Sequence, residues 1–183
     1  MRRLIGLIVV LVAVLASPAG AKVPRFQYAM PSIVPGNAIG GIEVGDTRGK
    51  AKATWGTPDD CFAYKGTTTC SFSHPGPIGD VWIASYYLKQ NRVVAITVET
   101  SEQRVANDKV KKLKTAKGIG VGSLISKARQ KYGIPIEGGG EAGLSKAKIK
   151  RKGRCTLFYA PDKPYTVIDS VTVGKCGSVS LLL

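Results

Sequence analysis

One block of sequence occurs twice in this chain. Gly41-Ile42-Glu43-Val44-Gly45-Asp46-Thr47 is matched 77 positions later by Gly118-Ile119-Gly120-Val121-Gly122-Ser123-Leu124. The offset continues without a gap through Lys50-Ala51 and Lys127-Ala128, then through Trp55-Gly56-Thr57-Pro58 and Tyr132-Gly133-Ile134-Pro135. A duplication constrains a fold more than a single motif does, because the unit it encodes must occur twice and find a surface to pack on.

Each copy reads as a short helix with marked ends. Asp46 and Ser123 are N-cap types, whose side-chain oxygens accept from free amides of a first helical turn. Thr47, Ala51 and Trp55 fall at helical spacing, as do Leu124, Ile125, Ala128 and Tyr132. Gly56 and Gly133 stand where a left-handed residue closes a helix, with proline two positions on. Trp55 and Tyr132 are assigned to the core. Strands follow: 62–65 and 68–72 flank Gly66, 81–88 and 93–98 flank Gln90-Asn91, and 155–160 and 167–173 flank Pro161-Asp162-Lys163-Pro164.

The expected class is therefore α+β, two tandem repeats that each pack a short helical segment on an antiparallel sheet. The first repeat spans 38–100 and the second 118–183, interrupted by Gly138-Gly139-Gly140. A proline-punctuated extended segment, 22–37, precedes them, and a lysine-rich joint, 101–117, lies between.

The chain opens Met1-Arg2-Arg3, runs apolar from Leu4 to Ala16 and exits through Ser17-Pro18-Ala19-Gly20-Ala21. These are the parts of a secretory signal peptide over 1–21. The apolar run falls short of the roughly 20 residues a membrane span needs. The expected location is extracytoplasmic, with no transmembrane span in the processed chain. Loss of Arg2 and Arg3 takes the net charge from +15 to +13, which draws the protein towards anionic partners.

Cys61, Cys70, Cys155 and Cys176 are the only cysteines. An even number in an exported chain reads as a disulfide framework, and no Cys-x-x-Cys pair suggests zinc. Of the three possible pairings, Cys61–Cys70 and Cys155–Cys176 keep each bridge within one hairpin, and this pairing is chosen.

Twice-repeated Gly-x-x-x-Gly, capped helix, Gly-x-Pro and cysteine hairpin together resemble the beta-lactamase inhibitor protein and the small outer-membrane-assembly lipoproteins of the SmpA/OmlA type. The resemblance covers 38–98 and, less well, 118–177. It implies two helix-on-sheet repeats forming a concave binding face, with Cys61 and Cys70 as the local first bridge. It also implies that Gly79-Asp80, followed by Val81-Trp82, matches a loop presenting an aspartate to a target. The paired tyrosines of that loop are absent here; Tyr86-Tyr87 come later.

Asp80, Trp82 and Tyr86 form the expected protein-contact set, with Trp82 and Tyr86 sharing one strand face by their even spacing. Lys146, Lys148, Lys150, Arg151, Lys152 and Arg154 form the expected anion-contact set, with three ammonium groups on one face of a strand. A solvated strand edge explains the same lysines. Gly118 to Gly122 lacks the Lys-Ser/Thr of a phosphate loop. The single histidine, His74, and the absence of a Gly-x-Ser-x-Gly elbow argue against an enzyme. No cofactor or metal is expected. The expected function is a secreted, non-enzymatic protein-binding or inhibitor-like module; the alternative is an envelope-associated protein held by anionic wall polymer or lipid. The oligomeric state is not set by the sequence.

Overall fold

The computed structural model describes residues 31–76, 79–100, 108–138, 145–161 and 167–179, with the side chains of 74–76, 79–82, 108, 109 and 179 excepted. The signal segment 1–21 lies outside the described residues.

In chain order the elements are β1 (Ser32–Val34), β2 (Ala38–Ile39), β3 (Ile42–Glu43), α1 (Arg48–Trp55), β4 (Asp60–Tyr64), β5 (Thr67–Gly76), β6 (Gly79–Lys89) and β7 (Arg92–Glu99). They continue with α2 (Asp108–Lys112), β8 (Lys114–Thr115), α3 (Ile125–Tyr132), β9 (Ile136–Gly138), β10 (Ser145–Arg151), β11 (Arg154–Ala160), β12 (Ser170–Lys175) and α4 (Cys176–Val179). The class is α+β. Eight strands form one sheet in the order β4-β5-β6-β7-β12-β11-β10-β9, every pair antiparallel. A second sheet of four short strands runs β3-β2-β1-β8, with β1 and β8 parallel.

The large sheet is built from hairpins whose turns follow from backbone chemistry. Lys65-Gly66, Gln90-Asn91 and Lys152-Gly153 all have positive φ, the geometry of type I′ turns, whose twist matches that of the strands they join. The middle strand β7, Arg-Val-Val-Ala-Ile-Thr-Val-Glu, is buried on both faces from Val93 to Val98, and a strand covered on both sides needs such an unbroken apolar run. Helices α1 and α3 lie on one face and seal it with Ala51, Trp55, Ile125 and Ala128. Trp55 is fully buried, donates Nε1–H to the Gly40 carbonyl at 3.1 Å, and meets Phe72 and Tyr86 edge-on. Tyr132 stacks on Phe158 and is half-buried. One continuous core joins these residues to Ile96, Val98, Val171 and Val173.

The helices start and stop 77 positions apart, Arg48–Trp55 and Ile125–Tyr132. Their entries are tied alike: Thr47 bridges Arg92 and Leu124 bridges Val167. The caps differ from the sequence expectation. Thr47, not Asp46, is the N-cap of α1 and accepts from the Lys50 amide, while Asp46 accepts from the Glu43 amide and binds Lys50 Nζ at 2.8 Å. For α3 the N-cap is Leu124 with no side-chain cap, and Ser123 accepts from the Gly120 amide instead. Both polar residues close the preceding turn, a local alternative open to Asp and Ser side chains. Gly133 takes the left-handed conformation that closes α3, and Gly56 closes α1 with positive φ but extended ψ.

Residues 108–117 are more than a joint. Val110 and Leu113 are fully buried, and β8 pairs with β1. Lys114 is half-buried, donates to the Val121 carbonyl and reaches Ser123 Oγ at 3.3 Å. Burial, then the nearby Lys111, hold its pKa below the usual lysine value.

Candidate functional site

The two disulfides join Cys61 to Cys70 and Cys155 to Cys176. Cys61 and Cys70 are directly opposite across β4 and β5, on the face that α1 covers. Cys155 belongs to the other face. Its bridge to Cys176 lays α4 over Ala95 and Leu157, giving a small second cluster with Tyr87 and Tyr159.

The expected anion contacts come together on one hairpin. Along β10, Ala147 and Ile149 are buried towards the helices, so Lys146, Lys148 and Lys150 alternate onto the other face. The turn Lys152-Gly153 then reverses the chain, and Arg151 pairs with Arg154 across it. Lys150, Arg151 and Lys152 are exposed, while Lys146 and Lys148 are half-buried. Only Lys146 has a described acidic neighbour, Glu137 at 3.8 Å. Arg154 is half-buried and donates to Asn37 Oδ1. Behind it the β1–β2 turn is fixed by the Gly36 amide, which donates to Thr156 Oγ1 at 2.6 Å. At Gly36 the positive φ leaves a side chain no relaxed position, and an added Cβ would press within 3.3 Å of Arg154 Cβ. Pro35, Gly36, Asn37, Arg151, Lys152 and Arg154 thus line a shallow surface concavity.

Sequence reasoning missed part of this cluster. Lys175 ends β12 directly beside Arg154 and is exposed, which extends the cationic tip across three strands. The signal was available, since a Cys155–Cys176 bridge already places position 175 next to 154. Asn37 and Gly36 carried no such signal, because their contact with β11 spans more than a hundred residues.

The expected protein contacts do not form one surface. Tyr86 is fully buried, packed on Trp55 and Phe72, and is corrected from contact residue to core residue. The register of β5 with β6 slips at Ile83, where Phe72 pairs with Ala84 but Ser73 with Trp82. A bulge of this kind breaks the even-spacing rule, so Trp82 and Tyr86 cannot be assigned one face by parity. Asp80 and Trp82 lie on β6, and their side chains, like that of His74, are outside the described residues.

The sheet face opposite α1 and α3 carries polar groups, but they are spent on each other. Ser71 and Ser85 hydroxyls are 2.9 Å apart, as are those of Thr97 and Thr172. Near its border, burial and then Asp169 hold the Glu99 carboxyl above the usual carboxylate range. Among the described residues no group of three or more His, Cys, Asp or Glu could hold a metal ion. No helix among them is long and apolar enough to cross a membrane.

This geometry belongs to an α+β protein with a cationic hairpin. No protein-family model matches the chain, and no curated protein matches it. Solved structures with some likeness include an extracellular protein containing an SCP domain from Bacillus anthracis, with TM-score 0.48 and 10% identity, covering 75% of this chain and 45% of that one. A cysteine-rich secretory protein from Staphylococcus aureus gives TM-score 0.48 and 12% identity, covering 75% and 46%. The chain spans less than half the length of either. The resemblance to the beta-lactamase inhibitor and SmpA/OmlA proteins is corrected: no family model supports it, and the solved structures found are an extracellular protein containing an SCP domain and a cysteine-rich secretory protein. At that TM-score the likeness assigns no activity or ligand.

Proposed function

We propose that this chain is an exported, non-enzymatic binding module that meets anionic polymer or lipid of the cell envelope through the β10–β11 hairpin. The observation that carries the reading is the tip itself. Lys150, Arg151 and Lys152 are exposed in succession, with Arg154 and Lys175 beside them and, among the described residues, Glu137 the one acidic side chain paired to the hairpin. Concentrated cations of this kind gain affinity mainly by releasing counterions from a polyanion, so binding weakens steeply with salt. Export is supported by the basic start, apolar run and small-residue exit of residues 1–21 and by the two disulfides. The shared 77-residue spacing of α1 and α3 supports reading the module as a duplicated unit.

The protein-binding alternative keeps Asp80 and Trp82 as contacts but loses Tyr86 to the core. Co-sedimentation with anionic and with zwitterionic vesicles, over rising salt, separates the two readings. The protein is expected on anionic vesicles only, and released as salt rises. A variant carrying Lys148→Gln, Lys150→Gln and Arg151→Gln should lose that retention; Arg154 is left in place because it anchors Asn37. Undiminished binding by the triple variant would sink the hairpin as the contact.

A further inference from the structure

Strand β4 is one outer edge of the eight-stranded sheet, with no neighbour on its far side among the described residues. Edge strands expose unpaired amides and carbonyls, and natural proteins blunt them with lysine, proline, bulges or brevity. The other edge follows that practice: β9 has three residues, Pro135 before it and Gly138 at its end. In contrast, β4 runs Asp-Cys-Phe-Ala-Tyr, pairs with β5 without a register shift, and contains neither lysine nor proline. It also holds the two most exposed large hydrophobic side chains among the described residues, Phe62 at 63% and Tyr64 at 60%. Their rings lie 6.3 Å apart at 18°, and Lys65 Nζ sits 5.1 Å from the Tyr64 centroid.

The turn fixes which backbone groups are free. In a type I′ hairpin the residues flanking Lys65-Gly66, which are Tyr64 and Thr67, share the turn hydrogen bond. Alternation along an antiparallel ladder then turns the backbone groups of Tyr64, Phe62 and Asp60 towards β5. It leaves the N–H and C=O of Cys61 and Ala63 facing outward. The Cys61–Cys70 bridge holds this edge to the strand behind it.

We propose that β4 is a dimerisation edge, to which a second copy of this chain adds its own β4 antiparallel about a two-fold axis through Phe62. The strand is complementary to itself when reversed. In that register Cys61 exchanges backbone hydrogen bonds with the partner's Ala63, and Ala63 with the partner's Cys61. Phe62 faces the partner's Phe62 at a non-hydrogen-bonded position, where opposite Cα atoms approach to about 4.5 Å. Tyr64 stands beside the partner's Asp60. Lys65 is brought to the end that carries the partner's Asp59 and Asp60, so opposite charges meet at both ends of the seam. Such a contact is isologous and closes at two copies, leaving the cationic hairpin at the far side of each sheet.

Net charge works against this pairing, since each processed chain carries +13 once Arg2 and Arg3 are lost from +15. Salt screens that repulsion. Dimerisation is therefore expected to strengthen as ionic strength rises, the reverse of polyanion binding by the hairpin.

Sedimentation equilibrium of the processed, oxidised protein over concentration and salt tests the proposal. A monomer–dimer equilibrium that tightens with salt is expected. Phe62→Lys sets like charges face to face, and Ala63→Pro removes an outward amide while leaving the β5 side intact. Each should weaken dimerisation by roughly tenfold or more, about 1.4 kcal/mol, with unchanged far-UV circular dichroism. Amide exchange at Cys61 and Ala63 gives a readout that needs no variant, and should slow as protein concentration rises. A monomer at about millimolar concentration in high salt, a dimer indifferent to both substitutions, or exchange that ignores concentration would each overturn it.

Discussion

Tyr86 pairs with Cys70 on one side and Ile96 on the other, and its ring fills the space between Trp55 and Phe72. Its hydroxyl is buried with no hydrogen-bond partner among the described residues. A buried polar group left unsatisfied costs on the order of 1–3 kcal/mol, so Tyr86→Phe should raise stability by about 1 kcal/mol in urea unfolding near neutral pH. A loss of similar size would reveal a partner for the hydroxyl. Burial also pushes the phenol above its ordinary value of 10.0. A raised acid is favoured in its neutral form by folding, so this contribution is present below pH 10 and lost as pH rises through the higher folded value. The gain from Tyr86→Phe should accordingly widen in alkaline solution. Sequence could not separate Tyr86 from its neighbour Tyr87, because alternation names two faces without saying which is covered. The bulge at Ile83 removed even the parity that linked Tyr86 to Trp82. The lysines of β10 were more legible, since Ala147 and Ile149 between them fix which side is inward.

At the level of elements, glycine and proline punctuation placed α1 and α3 to within a residue or two, and hairpin turns placed β4 to β7, whereas the Lys152-Gly153 turn between β10 and β11 was not foreseen. What escaped was pairing over distance. The parallel contact of β1 with β8 joins residues about eighty positions apart, and nothing local in Lys114-Thr115 announces a strand. The apolar pair Val110 and Leu113 was the available hint that the lysine-rich stretch packs inward. The caps failed for a related reason, because Asp46 and Ser123 satisfy the turn before the helix rather than the helix itself. Among the elements, α4 depends most on a covalent tie. It is four residues long, and the Cys155–Cys176 bridge fastens it against Ala95 and Leu157. Replacing both cysteines by alanine should lower stability by roughly 3 kcal/mol on chain-entropy grounds. Urea unfolding of the double variant checks the size, and a negligible change would mean the bridge constrains little in the unfolded chain.

For the whole molecule the decisive place is the seam between β7 and β12, where residues 38–100 meet the rest of the large sheet. Gly174 sits opposite Ala95, and an added Cβ would fall 2.7 Å from the Val94 carbonyl oxygen and 2.8 Å from Ala95 Cβ. Backbone offers no relief by side-chain rotation, so Gly174→Ala should cost about 1–3 kcal/mol as an overpacked contact. Because one core runs beneath both sides of the seam, tryptophan fluorescence and far-UV circular dichroism should still report a single, coincident transition. Two separated transitions would mean that the halves fold independently. The sequence predicted two repeats, each on its own antiparallel sheet, whereas β4–β7 and β9–β12 belong to one eight-stranded sheet; an offset in sequence carries no information on strand pairing across it. The disulfides have a further consequence for how the chain matures. The first cysteine bonds to the second and the third to the fourth, and no bridge crosses the seam. Under the proposed export, a chain delivered N-terminus first into an oxidising space can lock each bridge as its second thiol emerges. The order of appearance already dictates the correct partners, so maturation calls for an electron acceptor but for no reshuffling of mispaired thiols.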